Sequence, residues 1–239
     1  FFIIIYIFLF LIPSISGHPQ QHYICSPCHS IVARRISYEK LPLEVTFMLI
    51  SFPYDRDHAN AYARRWALSR NPLFPNYTGI GGDCTNFVSQ CVYAGCCVMN
   101  YTPTFGWYYL SPTDRAPAWT GVEYFCNFMT GNDGVGPYMT ETYPGGLSVG
   151  DVIQLGNTAG DYYHTLFVTG FAGGTYLVAA HSDDALDRPL DSYRYAGARF
   201  LHVEGIRTDV PEAVYETYLQ QNNCFPYLYD GGGESTQNL

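Results

Sequence analysis

Gly81-Gly82-Asp83-Cys84-Thr85-Asn86-Phe87-Val88-Ser89-Gln90-Cys91-Val92 is the stretch on which the fold turns. Asp83 is a helix-capping residue type placed just ahead of an apolar series. Cys84, Phe87, Val88, Cys91 and Val92 then follow the i, i+3, i+4, i+7, i+8 spacing of one helical face, and Gly95 offers a stop. The helix therefore opens on a cysteine. A thiol in a first helical turn feels the positive end of the helix dipole and nearby unpartnered amides, both of which favour thiolate. Those amides can also donate to an oxyanion. Cys84 is thus a candidate nucleophile, although it also lies on the apolar stripe and would serve equally as a small buried hydrophobe.

Toward the N-terminus, Asp55 can cap a helix running to about Arg70, with Ala59, Tyr62, Ala63, Trp66 and Ala67 as its apolar stripe and Asn71-Pro72 as its end. Residues 1–50 read as an N-terminal arm, 51–210 as the domain and 211–239 as a C-terminal tail of weak helix followed by disorder. Phe1 to Ile12 is an uncharged apolar run too short to span a membrane. It fits the core of a secretory signal or an anchor as well as it fits a truncated or non-native leader, so export and cell-surface placement stay open. Cys25-Ser-Pro-Cys28-His29 could supply half of a zinc site, but no second pair stands at ligand spacing, so no metal is expected.

Toward the C-terminus, residues 100–119 form a loop dense in aromatics and prolines. Within it, Trp107 and Trp119, with Tyr101, Phe105 and Tyr108, could make a platform for a sugar or peptide, or could simply cover one end of the core. Thr120 and Glu123 have capping-box spacing for a short helix ending near Gly131. The period then changes to two. Val152 to Leu155, Tyr162 to Gly170, Tyr176 to His181 and Phe200 to Ile206 read as strands. Helices first and strands afterwards give an α+β domain with an antiparallel sheet.

A nucleophilic thiol needs a base, and His164 alternates in phase with Leu166 and Val168, so it belongs to one sheet face with them. Leu177, Ala179 and His181 share a face of the following strand. A hairpin loop centred on Ala172-Gly173 sets His164 opposite His181, and one centred on Gly173-Gly174 sets Asp183 opposite His164 with His181 diagonal. Both registers put an orienting group beside His164. An odd-length loop would turn these residues away from one another.

The chain also resembles the putative amidase domains allied to the papain-like, NlpC-type cell-wall hydrolases. The resemblance runs through Tyr54-Asp-Arg-Asp57, Ala63-Arg-Arg-Trp-Ala67, Gly82-Asp-Cys-Thr-Asn-Phe-Val-Ser-Gln90, Pro117-Ala-Trp-Thr-Gly121, Gly150-Asp-Val-Ile-Gln154, His164 and Ala180-His-Ser182. It implies N-terminal helices, one bearing the cysteine, packed on a C-terminal antiparallel sheet. It implies Cys84 as nucleophile, His164 as base and His181 as the group orienting His164. Asp83, Trp107 and Trp119 are the expected substrate-binding residues. The expected substrate is a peptide or amide, with peptidoglycan as the family's example, and no cofactor is called for. The rival reading is a non-catalytic module that holds a ligand on the aromatic loop.

Charge narrows the partners. Acidic residues outnumber basic ones, 21 to 12, for a net charge of -9, and Lys40 is the only lysine, so no basic stripe is available for nucleic acid. Gly146-Leu-Ser-Val-Gly150 matches the serine-hydrolase pattern but follows a Pro-Gly turn and leads into a strand, the wrong context for a nucleophile elbow.

Overall fold

The computed structural model describes residues 48–220. The apolar run at Phe1, the Cys25–His29 cluster and the chain beyond residue 220 lie outside the described residues.

The first helix, α1 (Arg56–Trp66), starts where the sequence places it: the Asp55 carboxylate accepts from the His58 amide at 2.9 Å. It buries Ala59, Tyr62 and Ala63 and ends at Trp66, one turn short of Arg70. The cysteine-bearing helix, α2 (Cys84–Cys96), is buried along its whole length. Gly95 does not stop it. Tyr54 crosses so close that a Cβ at Gly95 would land on the Tyr54 ring and lie 2.6 Å from the Asp55 carbonyl, so glycine serves close approach here, and Cys97 takes the left-handed cap at φ 53°. Cys97 is disulfide-bonded, and Cys84, Cys91, Cys96 and Cys126 are free. The expected capping box does not form. A short α3 (Pro117–Thr120) breaks at extended Gly121 before α4 (Val122–Gly131), and Glu123 faces Arg199 at 3.3 Å instead.

The strands are β1 (Ile50–Phe52), β2 (Tyr109–Ser111), β3 (Asp114–Arg115), β4 (Gly136–Thr142), β5 (Val152–Gly156), β6 (Tyr162–Ala172), β7 (Thr175–Ala180), β8 (Ala185–Pro189) and β9 (Gly197–Thr208). Seven of them make one antiparallel sheet in the order β1-β9-β5-β6-β7-β8, with β4 also paired to β9, while β2 and β3 form a separate hairpin. The domain is therefore α+β, a mixed layer of helices on an antiparallel sheet. A last helix, α5 (Glu212–Gln220), falls in the stretch read as tail. It joins the body through buried Tyr215, whose hydroxyl donates to the Cys96 carbonyl at 2.9 Å and whose ring lies 4.4 Å from that of Phe52. Among the described residues no helix is long and apolar enough to cross a membrane.

Alternation splits the core in two. Val152, Phe167, Ala179, Leu201 and Val203 face the helices and pack with Phe87, Val88, Trp107 and Trp119. Ile153, Leu155, Leu166, Val168, Val178 and Phe200 face the other way and are covered by Leu147, Leu190 and Tyr193. Asp151, fully buried in the turn before β5, pins α1 to the sheet. It contacts Arg56 and His202 at 2.6 Å and accepts from the Val203 and Ser148 amides at 3.0 and 2.7 Å. That turn, not a nucleophile elbow, is the setting of Ser148.

Candidate active site

Cys84 is the first residue of α2 and 6% exposed. Its Sγ lies 3.8 Å from Thr85 Oγ1, and Thr85 Oγ1 lies 2.8 Å from Thr165 Oγ1, so the helix start and β6 meet one residue beyond Cys84 and one beyond His164. Cys84 and His164 share no hydrogen bond.

Asp83 holds the N-cap position but makes no capping bond. Its carboxylate is fully buried and committed elsewhere: Oδ1 accepts from the Tyr77 amide at 3.2 Å and Asn86 Nδ2 at 2.7 Å, and Oδ2 lies 2.9 Å from His181 Nδ1. Arg70 Nε is also 2.9 Å from Oδ2, an ion-pair contact whose N–H direction misses the oxygen. Burial pushes this carboxyl up, and the hydrogen bonds from His181, Asn86 and Tyr77 outweigh it, leaving it below the usual carboxylate range. The Asp83 amide donates to Ser182 Oγ at 2.7 Å, so the two residues that follow β7, His181 and Ser182, clamp the side chain and the backbone of the residue before Cys84.

The structure corrects the role expected for His181. Phe167 pairs with Ala179 and Val168 with Val178, but Gly170 pairs with Leu177, so a β-bulge at Thr169 inserts one unpaired residue into β6. The hairpin loop is Gly173-Gly174, as in one of the two expected registers. The bulge nevertheless reverses the facing of everything before it, and His164 and His181 occupy opposite faces. His181 stacks on Phe87 of α2 at 4.0 Å, while His164 pairs with Leu155 on the far face. There His164 lies 6.0 Å, centroid to centroid, from Tyr193, and Arg188 sits over that tyrosine ring at 4.1 Å. Burial pushes the His164 imidazole down to about 4, Arg188 adds to this, and Asp183 opposes it.

Three expected substrate contacts are likewise corrected. Trp107 and Trp119 are completely buried, their ring N–H groups donating to Ser89 Oγ and Asn86 Oδ1 at 3.0 Å each, and Asp83 has no surface left to offer. Of the aromatic loop it is Phe105, 82% exposed, that reaches solvent; it lines a cleft of about 520 Å³ with Tyr124, Thr102, Asn127 and Asp133. Arg70, Asn86, Thr165 and Ser182 were not singled out from the sequence. Only Asn86 had a signal, its i, i+3 spacing from Asp83. Three acidic residues around the site are ion-paired, Asp184 with Arg70, Asp187 with Arg64 and Asp183 with Arg188. Among the described residues no group of three His, Cys, Asp or Glu could hold a metal ion.

An α+β domain whose buried helix opens on a cysteine over an antiparallel sheet is thus the class that fold and site define. Residues 53–203 match the family model described as the putative amidase domain, and the chain belongs to that family, whose description names amide hydrolysis in general. An uncharacterised Bacillus subtilis (strain 168) protein, YhbB, is 36% identical over 72 residues, a match covering 29% of this chain and 22% of that relative. No solved structure matches.

Proposed function

We propose that this chain is a cysteine-dependent amidohydrolase on a papain-like, NlpC-type frame. Cys84 Sγ attacks an amide carbonyl carbon as its proton passes to His164. The C–N bond breaks, His164 returns the proton to the leaving amine, and water cleaves the thioester to a carboxylic acid and the free thiol. The observation that carries this reading is the uncapped start of α2. With the Asp83 carboxylate turned to His181, the amides of the first turn keep no cap and are available to the oxyanion beside Cys84. The burial-depressed His164 is uncharged at neutral pH and so has a lone pair to accept a proton. His164 stands on the sheet face away from α2, one residue from the Thr165–Thr85 contact that joins β6 to the helix start, so the proton transfer requires the imidazole to swing round the strand toward Cys84 when substrate binds. A cell-wall peptide is the substrate class the NlpC-type frame points to.

The test is the rate of Cys84 alkylation by iodoacetamide between about pH 5 and 9, in the natural chain and in His164→Ala. Reaction well below the pH at which free cysteine reacts, lost in His164→Ala, supports the pair. An inert thiol in both chains defeats it. Burial of Cys84 against Thr85, and the open cleft at Phe105 and Tyr124, favour a second reading as a non-catalytic ligand-binding module. Under that reading Phe105→Ala abolishes ligand binding while Cys84→Ala leaves it intact.

A further inference from the structure

His181 lies between two acceptors. Its Nδ1 faces the Asp83 carboxylate at 2.9 Å and its Nε2 faces the Trp66 backbone carbonyl at 2.8 Å, in a site where the side chain is 1% exposed. A neutral imidazole has one donor and one acceptor nitrogen, so either tautomer would set a bare lone pair against an oxygen lone pair. Both nitrogens donate only if both carry a proton. The charged groups that surround the ring fit that state: Asp83 from the α2 start and Asp184 from the turn after β7 are anionic, and Arg70 bridges them.

We infer that His181 is a positioning residue for Cys84, held doubly protonated, which acts by withholding the Asp83 carboxylate from the first turn of α2 rather than by orienting His164. It rests on the reading of Cys84 as nucleophile. An aspartate at a helix N-cap ordinarily bonds the N2 or N3 amide. Here that would fill the oxyanion position and place an uncompensated negative charge one residue from the thiol. The imidazolium and Arg70 prevent both. They hold Oδ2 and neutralise the carboxylate, while the Tyr77 amide and Asn86 Nδ2 hold Oδ1 and Ser182 Oγ fixes the Asp83 backbone, so the carboxylate stays off the helix start.

Two substitutions separate the halves of the clamp. The amide nitrogen of His181→Asn falls near the place of Nδ1 and keeps a donor for Asp83. That of His181→Gln falls near Nε2 and keeps only the Trp66 contact. His181→Gln is expected to slow Cys84 alkylation about tenfold and move its profile to higher pH, and His181→Asn to restore most of the rate. Double-mutant cycles assign the route. The His181→Gln effect persists in a His164→Ala background and disappears with Asp83→Asn. An effect that vanishes with His164→Ala, or identical behaviour of the Asn and Gln variants, overturns the proposal. The ring ¹⁵N spectrum of His181 in the natural chain is a check that needs neither a reactive thiol nor a folded variant. Two protonated nitrogens are expected, and one bare nitrogen overturns the proposal. An inert Cys84 beside a doubly protonated His181 would defeat the hydrolase reading, and with it the catalytic purpose of the clamp, while leaving the ion pair itself established.

Discussion

Phe167 stands opposite Ala179 in the β6–β7 ladder, and both side chains enter the core beneath α2. Three residues further along β6, Gly170 stands opposite Leu177, so Thr169 has no cross-strand partner. Its side chain is used instead: Oγ1 donates to Asp187 at 2.8 Å, and its carbonyl accepts from Arg64 at 3.3 Å. The bulge places Thr165 against α2 and sends His164 to the far face. The two histidines therefore live in different electrostatic surroundings, one beside a buried carboxylate and the other half-buried beside Tyr193, where the opposed charges of Asp183 and Arg188 act on it.

His164 should make the fold sensitive to mild acid. Its folded value, about 4, lies below the ordinary 6.5, so between those limits the unfolded chain binds the extra proton. The stabilising contribution is full above about pH 6.5 and is lost as pH falls toward 4. Urea unfolding of His164→Gln should show no such decline across that window, whereas the natural chain should. Equal slopes in the two chains would refute the assignment.

Asp83 should act lower on the pH scale. Its folded carboxyl is held down by His181, Asn86 and Tyr77 against the upward push of burial, so its contribution is present above the unfolded carboxylate value of about 3.9 and disappears as pH falls below it. In Asp83→Asn the acid-unfolding curve should lose this lower phase and keep the one due to His164. Circular dichroism from pH 7 to 2 separates the two.

Gly95→Ala should be costly although alanine favours helices. The added methyl meets the Tyr54 ring and the Asp55 carbonyl, and the Asp55 amide donates to the Gly95 carbonyl at 3.0 Å, so neither neighbour can easily retreat. A loss of about 1–3 kcal/mol is expected from such overpacking. Thermal unfolding would show it as a drop of several degrees, and an unchanged midpoint would mean that Tyr54 repacks freely.

Asp151→Ala should damage folding without touching the Cys84 turn. It strips a fully buried carboxylate from Arg56 and His202 and orphans two amides. Removing one partner of a buried pair costs roughly 3–5 kcal/mol, and since Arg56 is partly exposed the lower end applies. Denaturant unfolding measures it, and a loss under about 1 kcal/mol would show that Arg56 finds water instead.

The chain's local patterns were enough to determine the α+β class, the start of α1 at Asp55, the start of α2 at Cys84 and the four central strands. Each of these is written in a 3.6- or 2-residue alternation that a short window contains. The alternation also placed His164 with Leu166 and Val168, correctly. It could not determine which face α2 would cover, because both faces of the sheet are apolar. Nor could it locate the bulge at Thr169, which exists only as a relation between two strands and reverses facing by a single residue. Gly95 looked like a stop because its real neighbour, Tyr54, is distant in sequence. Trp107 and Trp119 looked like a platform because aromatic residues serve cores and binding surfaces alike, and only packing against Ser89 and Asn86 decides between them. Asp83 and Cys84 are legible in the sequence as a cap and a thiol. That the cap is withheld from its helix depends on His181, 98 positions away, and only the tertiary structure brings that ring to it.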